Sequence, residues 1–230
     1  PALASFMKST DRNTRKEAYE ILIKTELEAF ETIDAKFDEL LKLREKIAKN
    51  AGFPNYTKYR FKEMQRFDWD ETHCFEFHKA VKEHIMPLKR KLFEKRRKNL
   101  GLDVLRPYDL GVDMYGREPL RIYEQGDTQS LIEGAGKIIK AIDSELYQYF
   151  CDIHNSKLLD LDSRANKAPG GYMVMYPMYE KASVFDNGVG LSSDLMVLLH
   201  ELGHCFHYYL GKDITPYSLQ NWTSEVAEGG

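Results

Sequence analysis

The residues best suited to chemistry in this sequence are the five from His200 to His204, which read His-Glu-Leu-Gly-His. In an α-helix, residues four positions apart lie about 40° apart around the axis, so the two imidazoles reach toward one point. Neutral imidazole is a good zinc ligand, and two from one helix provide half of a tetrahedral site. Glu201 is not needed as a ligand, and its carboxylate can take a proton from water that the metal acidifies. The run therefore predicts a reaction as well as a fold.

The same motif also occurs by chance in helices that bind nothing, so its surroundings matter. The six residues before His200 are apolar apart from Asp194. Ser192, Ser193 and Asp194 are N-cap candidates, and Gly211 is a candidate C-terminal stop. A buried histidine or glutamate needs a polar partner, and a metal ion would be one. We therefore expect one zinc ion on a buried helix.

A catalytic zinc site needs a third protein ligand, with water in the fourth position. Metzincins carry a further histidine six residues after the second one, but Leu210 occupies that position here. A glutamate from a second helix remains possible, and the candidates are Glu225 and Glu228, just after the potential caps Thr223 and Ser224. Spacing alone does not choose between them. Alternatively, either glutamate simply lies in the first turn of the helix, where its charge interacts favourably with the helix dipole. We favour this alternative for Glu225.

The zinc motif and its flanks resemble the thimet oligopeptidase and oligoendopeptidase F family of zinc peptidases, and the oligoendopeptidase F side more closely. The stretches that carry the likeness cover nearly the whole chain: 51–56, 105–110, 167–172, 200–210 and 224–228. The resemblance implies a helical, gluzincin-like catalytic domain that hydrolyses peptide bonds in short peptides. It also implies a site with His200, His204 and Glu228 as zinc ligands and Glu201 as general base.

Family members are much longer, with sequence on both sides of this region, so we expect an internal part of a larger peptidase. In the family, a tyrosine or histidine that follows the zinc glutamate donates to the oxyanion. This sequence stops at Gly230, two residues after Glu228. We therefore expect this stretch by itself to bind zinc without efficient turnover.

The elements around the motif are predicted to be mainly α-helical from hydrophobic spacing and chain breakers. Asp68 and Glu71 have the spacing of a capping box, and residues 102–126 read as a loop. A long helix is expected at 11–50, and a short one is expected after the chain break at 53–55, ending near Met64. A further helix is expected from 68–70 to 100 with a kink at Pro87, and helices resume at 127–155 with a division near Asp143. We interpret the chain as one partial catalytic unit, with a helical part at 1–165, a β segment at 168–187, the zinc helix at 193–211 and the third-ligand helix at 223–230.

Two short strand candidates, 172–176 and 183–185, precede the zinc helix. Peptidases often hold substrate on an exposed strand edge, so Gly171 and Tyr172 are candidate substrate contacts. The alternative is a plain structural hairpin under the core. His207 lies seven positions after His200 and is a further candidate, although a hydrogen-bonded histidine is the more common role for such a residue.

The composition excludes several classes of protein. With 43% hydrophobic and 30% charged residues and no apolar run near the length of about 20 residues that a membrane span needs, we expect no membrane insertion. The net charge of −3 argues against a nucleic-acid partner, and we interpret the basic run at 89–98 as a solvated helix face. Three scattered cysteines favour a reducing compartment, which predicts a cytoplasmic protein, with Cys205 as a packed hydrophobic residue.

Two alternatives to the zinc peptidase stay open. The first is a non-catalytic helical interaction module that keeps a vestigial motif. It predicts the loss of a ligand or of Glu201, yet all four residues are present here. The second is a different zinc hydrolase built on the same motif, which a peptide panel with and without chelator would distinguish.

Overall fold

The computed structural model describes residues 3, 5–220 and 224–229. It is mainly helical with one small sheet, which confirms the fold class predicted from the sequence. The chain divides into two compact units, Thr10–Arg117 and Glu118–Gly230 together with Pro1–Ser9. The single catalytic unit expected from the sequence stays a prediction.

The unit formed by Thr10–Arg117 is built from helices. The side chain of Asp11 accepts hydrogen bonds from the backbone N–H groups of Asn13 and Thr14, so the first helix begins where the sequence predicts. It ends before Gly52, whose positive φ of 80° suits a residue without a Cβ. The helices are α1 (Arg12–Asn50), α2 (Tyr56–Glu63), α3 (Glu71–Ala80) and α4 (Met86–Asn99), with a π-helical turn at Val81–Ile85 between α3 and α4.

Two details of the α3–α4 stretch differ from expectation or refine it. The predicted capping box of Asp68 and Glu71 is wrong, because α3 is capped by Asp70, whose side chain accepts from the N–H of Thr72. The reciprocal partner is then His73, three residues after the cap, which accepts from the N–H of Asp70. The interruption expected near Pro87 is the π-helical turn just before it. A proline lacks an N–H and displaces the carbonyl one turn earlier.

The loop expected at 102–126 contains a short 3₁₀ helix, Pro107–Asp109, that binds to α1 through a buried carboxylate. The side chain of Asp109 is fully buried. It accepts hydrogen bonds from the guanidinium groups of Arg12 and Arg15 and from the N–H of Arg106. These charge-assisted bonds hold an otherwise irregular segment in one place on a helix.

The second unit combines helices with a three-stranded sheet. As predicted, its first helical stretch divides at Asp143, which caps the following helix by accepting from the N–H groups of Glu145 and Leu146. Its elements are α5 (Thr128–Ile142), α6 (Ser144–Asn155), β1 (Leu159–Asp162), β2 (Tyr172–Tyr176), β3 (Lys181–Gly188), α7 (Ser192–Gly211) and α8 (Ser224–Gly229). The bounds of α7 agree with the predicted zinc helix.

The sheet has the order β1-β3-β2, with β1 parallel and β2 antiparallel to β3. The hairpin of β2 and β3 confirms the two predicted strands. The predicted helical part at 1–165 is wrong over β1, a four-residue strand whose pairing partner lies more than 20 residues later. Such a short strand depends on its neighbour for hydrogen bonds, so local periodicity does not reveal it.

The core of this unit lies between the sheet and helices α5, α6 and α7. On α7, Leu198, Leu202 and Cys205 are completely buried. Cys205 therefore packs as the small hydrophobic residue expected from the sequence, and burial raises the pKa of its thiol to about 12. No helix among the described residues has the length and apolar character required to cross a membrane.

Candidate metal centre

The N-cap of helix α7 is Leu191, so the prediction of Ser192, Ser193 or Asp194 as the cap is wrong. Asp194 lies instead in the first turn of α7, and its carboxylate holds the start of the helix. One oxygen of its carboxylate accepts from the N–H groups of Val189, Gly190 and Leu191 and from the hydroxyl of Tyr123, at 2.8–2.9 Å. Burial and the neighbouring carboxylate raise the pKa of the Tyr123 hydroxyl. This buried network fixes the direction in which the helix leaves the sheet, and with it the position of the motif two turns later.

The two histidines of the motif face one another across one turn of α7. Nε2 of His200 and Nε2 of His204 are 3.1 Å apart, and the rings are nearly perpendicular at 81°. Glu228 on α8 lies against both, with one oxygen 3.3 Å from Nε2 of His200 and the other 3.6 Å from Nε2 of His204. The three predicted ligands therefore converge, although they lie on two different helices.

The spacing of these donor atoms fits a zinc ion. Ligand atoms about 2.1 Å from a tetrahedral metal lie about 3.4 Å from each other. The two Nε2 atoms are 3.1 Å apart, and Glu228 contacts His200 through one oxygen at 3.3 Å and His204 through the other at 3.6 Å, so each of these contacts is near that value. Two imidazole nitrogens and one carboxylate oxygen are also a donor set that zinc prefers, and they leave a fourth position for water or substrate.

The structure does not test the alternative ligand. The side chain of Glu225 and the predicted cap Thr223 lie outside the described residues, and α8 begins at Ser224. What the structure does show is that Glu228, four residues into this helix, reaches both histidines. The geometry therefore supports the ligand that the family resemblance implied.

Glu201 is only 7% exposed and lines the same cavity as the three ligands. It belongs to a group of buried carboxylates, and its charge helps to raise the pKa of the Cys205 thiol. Asp186 on β3 is a second member: burial raises its pKa, and the charges of Asp194 and Glu201 add to that effect. In the described part of the chain, Asp186 Oδ2 has no hydrogen-bond partner. A divalent cation in the cavity would offset this concentration of negative charge.

The cavity has a volume of about 560 Å³, a size typical of sites that hold a small ligand. Gly171 and Tyr172, the predicted substrate contacts from the sheet, line it. Gly171 lies very close to the zinc helix, since a Cβ built on it would be 2.9 Å from Cγ1 of Val197 and 3.1 Å from Oδ1 of Asp186. The absence of a side chain there lets the strand approach α7 closely.

His207 does not belong to the described lining of this cavity. Burial lowers the pKa of its imidazole, and the neighbouring His204 lowers it further. The structure thus gives His207 no place among the cavity walls, so its predicted contact with substrate stays without structural support.

Four lining residues were not singled out from the sequence: Met173, Met175, Gln220 and Ala227. Met173 and Met175 are two residues apart in β2, and this alternation with the residues between them indicates a strand with one face toward the core. The sequence pattern gave no such indication for Gln220, because this residue lies in the segment after α7, which reaches the cavity only in the folded chain. Its amide donates to the carbonyl groups of Lys212 and Ile214, which fixes its position.

Comparison with known proteins places this arrangement in a family. The model of peptidase family M3 matches residues 5–229. Oligoendopeptidase F of Lactococcus lactis subsp. cremoris is 24% identical over 97% of this chain, and group B oligopeptidase PepB of Streptococcus agalactiae is 25% identical over 97%. In each case the chain spans 36% of the relative's length.

A solved structure of PZ peptidase A with an inhibitor superimposes with a TM-score of 0.90 at 31% identity, over 99% of this chain and 41% of that one. The resemblance inferred from the motifs is thereby confirmed. With a family model that matches nearly every residue and the same fold in a solved relative, this chain belongs to peptidase family M3.

Proposed function

We propose that this chain carries the zinc site of a metalloendopeptidase that hydrolyses peptide bonds in short peptides. The observation that supports the proposal most directly is the convergence of His200, His204 and Glu228 beside a buried Glu201 in one cavity. Membership of a peptidase family agrees with it. We further propose short peptides as partners, no nucleic acid, and a cytoplasmic setting, to which the three free cysteines are suited.

The metal would be held by the three converging residues, His200, His204 and Glu228. Zinc held there would polarise the scissile carbonyl and would lower the pKa of water toward about 7. The remaining roles are proton transfer, which we assign to Glu201, and the positioning of substrate, which we assign to strand β2.

Glu201 is the proposed general base. It follows His200 directly and lines the same cavity, so its carboxylate can take the proton of the attacking water. The same carboxyl group then delivers the proton to the amine that leaves. Its burial excludes competing water and holds the carboxylate in one place.

Strand β2 is the proposed backbone contact for substrate. It is an edge strand of the sheet within the described residues, and its first residue Tyr172 lines the cavity. An extended peptide can add to such an edge through main-chain hydrogen bonds, which hold it without regard to its side chains. This arrangement suits an enzyme that accepts many short sequences.

The proposal is tested by metal analysis of purified protein together with cleavage of quenched fluorescent peptides, with and without chelator. We expect about one zinc per chain and little cleavage by this stretch alone. In the longer peptidase expected from the sequence, the chelator should abolish cleavage. Absence of zinc after incubation with the metal would contradict the proposed centre. Cleavage that persists without metal would contradict the proposed chemistry.

A further inference from the structure

Gln220 contributes a side-chain amide to the lining of the cavity beside the metal ligands. It is the last residue of a short 3₁₀ helix, Tyr217–Gln220, in the segment between α7 and α8. Its Nε2 donates to the carbonyl group of Lys212 at 2.6 Å and to that of Ile214 at 3.0 Å. A primary amide carries two N–H groups, so both donors of this side chain are used.

These two bonds also determine which way the amide of Gln220 is turned. The opposite orientation would place Oε1 against two carbonyl oxygens, which are acceptors like Oε1 itself. Among the described residues, no N–H or O–H group donates to Oε1. The side chain is partly buried, so its orientation is held by the fold and its oxygen is left for a ligand in the cavity.

The other charged groups of the lining already have roles in the proposed centre. Glu228 is a proposed metal ligand and Glu201 is the proposed base. Gln220 adds a neutral acceptor that neither metal binding nor proton transfer uses. A neutral carbonyl oxygen is the usual partner of a peptide N–H group, so the chemistry of this atom favours a main-chain donor.

An extended peptide on the edge of β2 would carry such donors on both of its sides. Successive residues of a strand direct their N–H groups to opposite edges, so only every second residue bonds to the neighbouring strand. An N–H group that faces away from β2 needs another acceptor once water is displaced from it. Gln220 lies outside the sheet and lines the same cavity, so its oxygen can serve one of these groups.

We propose that Oε1 of Gln220 accepts a hydrogen bond from one main-chain N–H group of the bound peptide, on the side that faces away from β2. Gln220 is then a substrate-binding residue that recognises the backbone of the peptide. The proposal rests on the function proposed above, because it takes an extended peptide at β2 as the occupant of the cavity. Since the two bonds from Nε2 fix the amide beforehand, little side-chain ordering opposes binding.

The test removes single N–H groups from the ligand and measures binding apart from cleavage. Zinc-loaded Glu201→Gln protein, the reference, is titrated with a fluorescein-labelled hexapeptide of alanine. In a series of analogues, lactic acid replaces one alanine at a time, so an ester oxygen replaces one N–H group without added bulk. Esters at alternate positions should weaken binding through lost contacts with β2. One ester between those positions should weaken it about 10-fold, because the oxygen of Gln220 is left unpaired.

Two variants in the same background assign that loss to Gln220. Gln220→Met keeps the length of the side chain and removes the acceptor, so the penalty for this one ester should fall to about 2-fold or less. The penalties at the β2 positions should remain, whereas a general shift of the segment would change all of them together. Gln129→Met is the matched control, because Gln129 is exposed on α5 and is not part of the cavity lining. It should keep the 10-fold penalty, and zinc content is measured for every variant.

The same pattern of penalties in Gln220→Met and Gln129→Met, with zinc retained, would overturn the contact. A reference series in which no ester between the β2 positions weakens binding would also overturn it, as would a hexapeptide that does not bind. These two results need no variant, so they decide the question even if Gln220→Met does not fold.

Cleavage of the unmodified hexapeptide, with Glu201 intact, is measured separately in the longer peptidase expected from the sequence, with and without chelator. A penalty that depends on Gln220, without any chelator-sensitive cleavage, would support the contact and contradict the hydrolytic function. Chelator-sensitive cleavage without such a penalty would support the function and contradict the contact.

Discussion

One oxygen of Glu228 lies 3.3 Å from Nε2 of His200, although the two residues belong to different helices. The other carboxylate oxygen lies 3.6 Å from Nε2 of His204. The donor set therefore exists only when α8 packs beside α7. Because a bound metal ion would hold all three side chains at once, its binding must stabilise that packing.

Replacement of Glu228 by Ala should weaken zinc binding by about 100-fold, since one of three protein ligands is lost. Glu225→Ala is the matched comparison from the same helix and should have a much smaller effect. Competition titration with a chromophoric zinc chelator measures both affinities. A larger loss in Glu225→Ala than in Glu228→Ala would reverse the assignment of the third ligand.

In the longer peptidase expected from the sequence, replacement of Glu201 by Gln should lower kcat for peptide cleavage by about 10²- to 10⁴-fold, because the amide cannot accept the proton of the attacking water. Zinc content should not change, since Glu201 is not among the converging ligands. Glu133→Gln, on the exposed face of α5, controls for the substitution itself. Near-equal hydrolysis by Glu201→Gln and the parent would rule out Glu201 as the base.

Replacement of Gly171 by Ala should destabilise the protein by about 1–3 kcal/mol, the usual cost of an extra methyl group in a packed contact. The new Cβ would lie 2.9 Å from Cγ1 of Val197, one turn before His200, so zinc affinity should also fall. Gly134→Ala on α5 is the control, because a Cβ there has no neighbouring atom within 4 Å and alanine favours the helix. The urea midpoint of unfolding should therefore fall in Gly171→Ala and rise in Gly134→Ala. A higher midpoint in Gly171→Ala than in the parent would contradict the close packing.

Replacement of Asp109 by Asn should destabilise the unit Thr10–Arg117 by about 3–5 kcal/mol, because Arg15 would lose its buried ionic partner. Asp113→Asn removes the exposed pair with Arg117 and should change stability little. Denaturant unfolding of both variants checks the difference. Equal midpoints would show that the buried carboxylate does not hold the 3₁₀ segment on α1.

Asp160 should give a pH dependence at the acid end of the range. Hydrogen bonds from Arg164 and then Lys167 lower its pKa from 3.8 to about 2, against the opposing effect of partial burial. The folded state therefore binds this proton more weakly than the unfolded state. The stabilisation is fully present above about pH 4 and is lost as the pH falls through about 2. An NMR titration of the Asp160 carboxyl carbon measures this directly, and a midpoint near 3.8 would contradict the predicted shift.

The sequence by itself determined the features that depend on local spacing. The four-residue interval places His200 and His204 on one face of α7, and Asp11 and Gly52 bound the long helix α1, because the helical period and capping chemistry act within a few residues. The hairpin of β2 and β3 was equally local, since its strands are close in the chain.

The tertiary structure alone decided what depends on residues far apart. It brought Glu228 to the two histidines, paired the short β1 with β3, and placed Met173 and Met175 in the lining of the cavity that contains the two histidines. These arrangements follow from the packing of whole elements around a shared core, where burial and complementary shape outweigh local preference. Spacing along the chain predicted the chemistry, but only packing could bring the proposed third ligand and the cavity-lining residues of β2 to the two histidines.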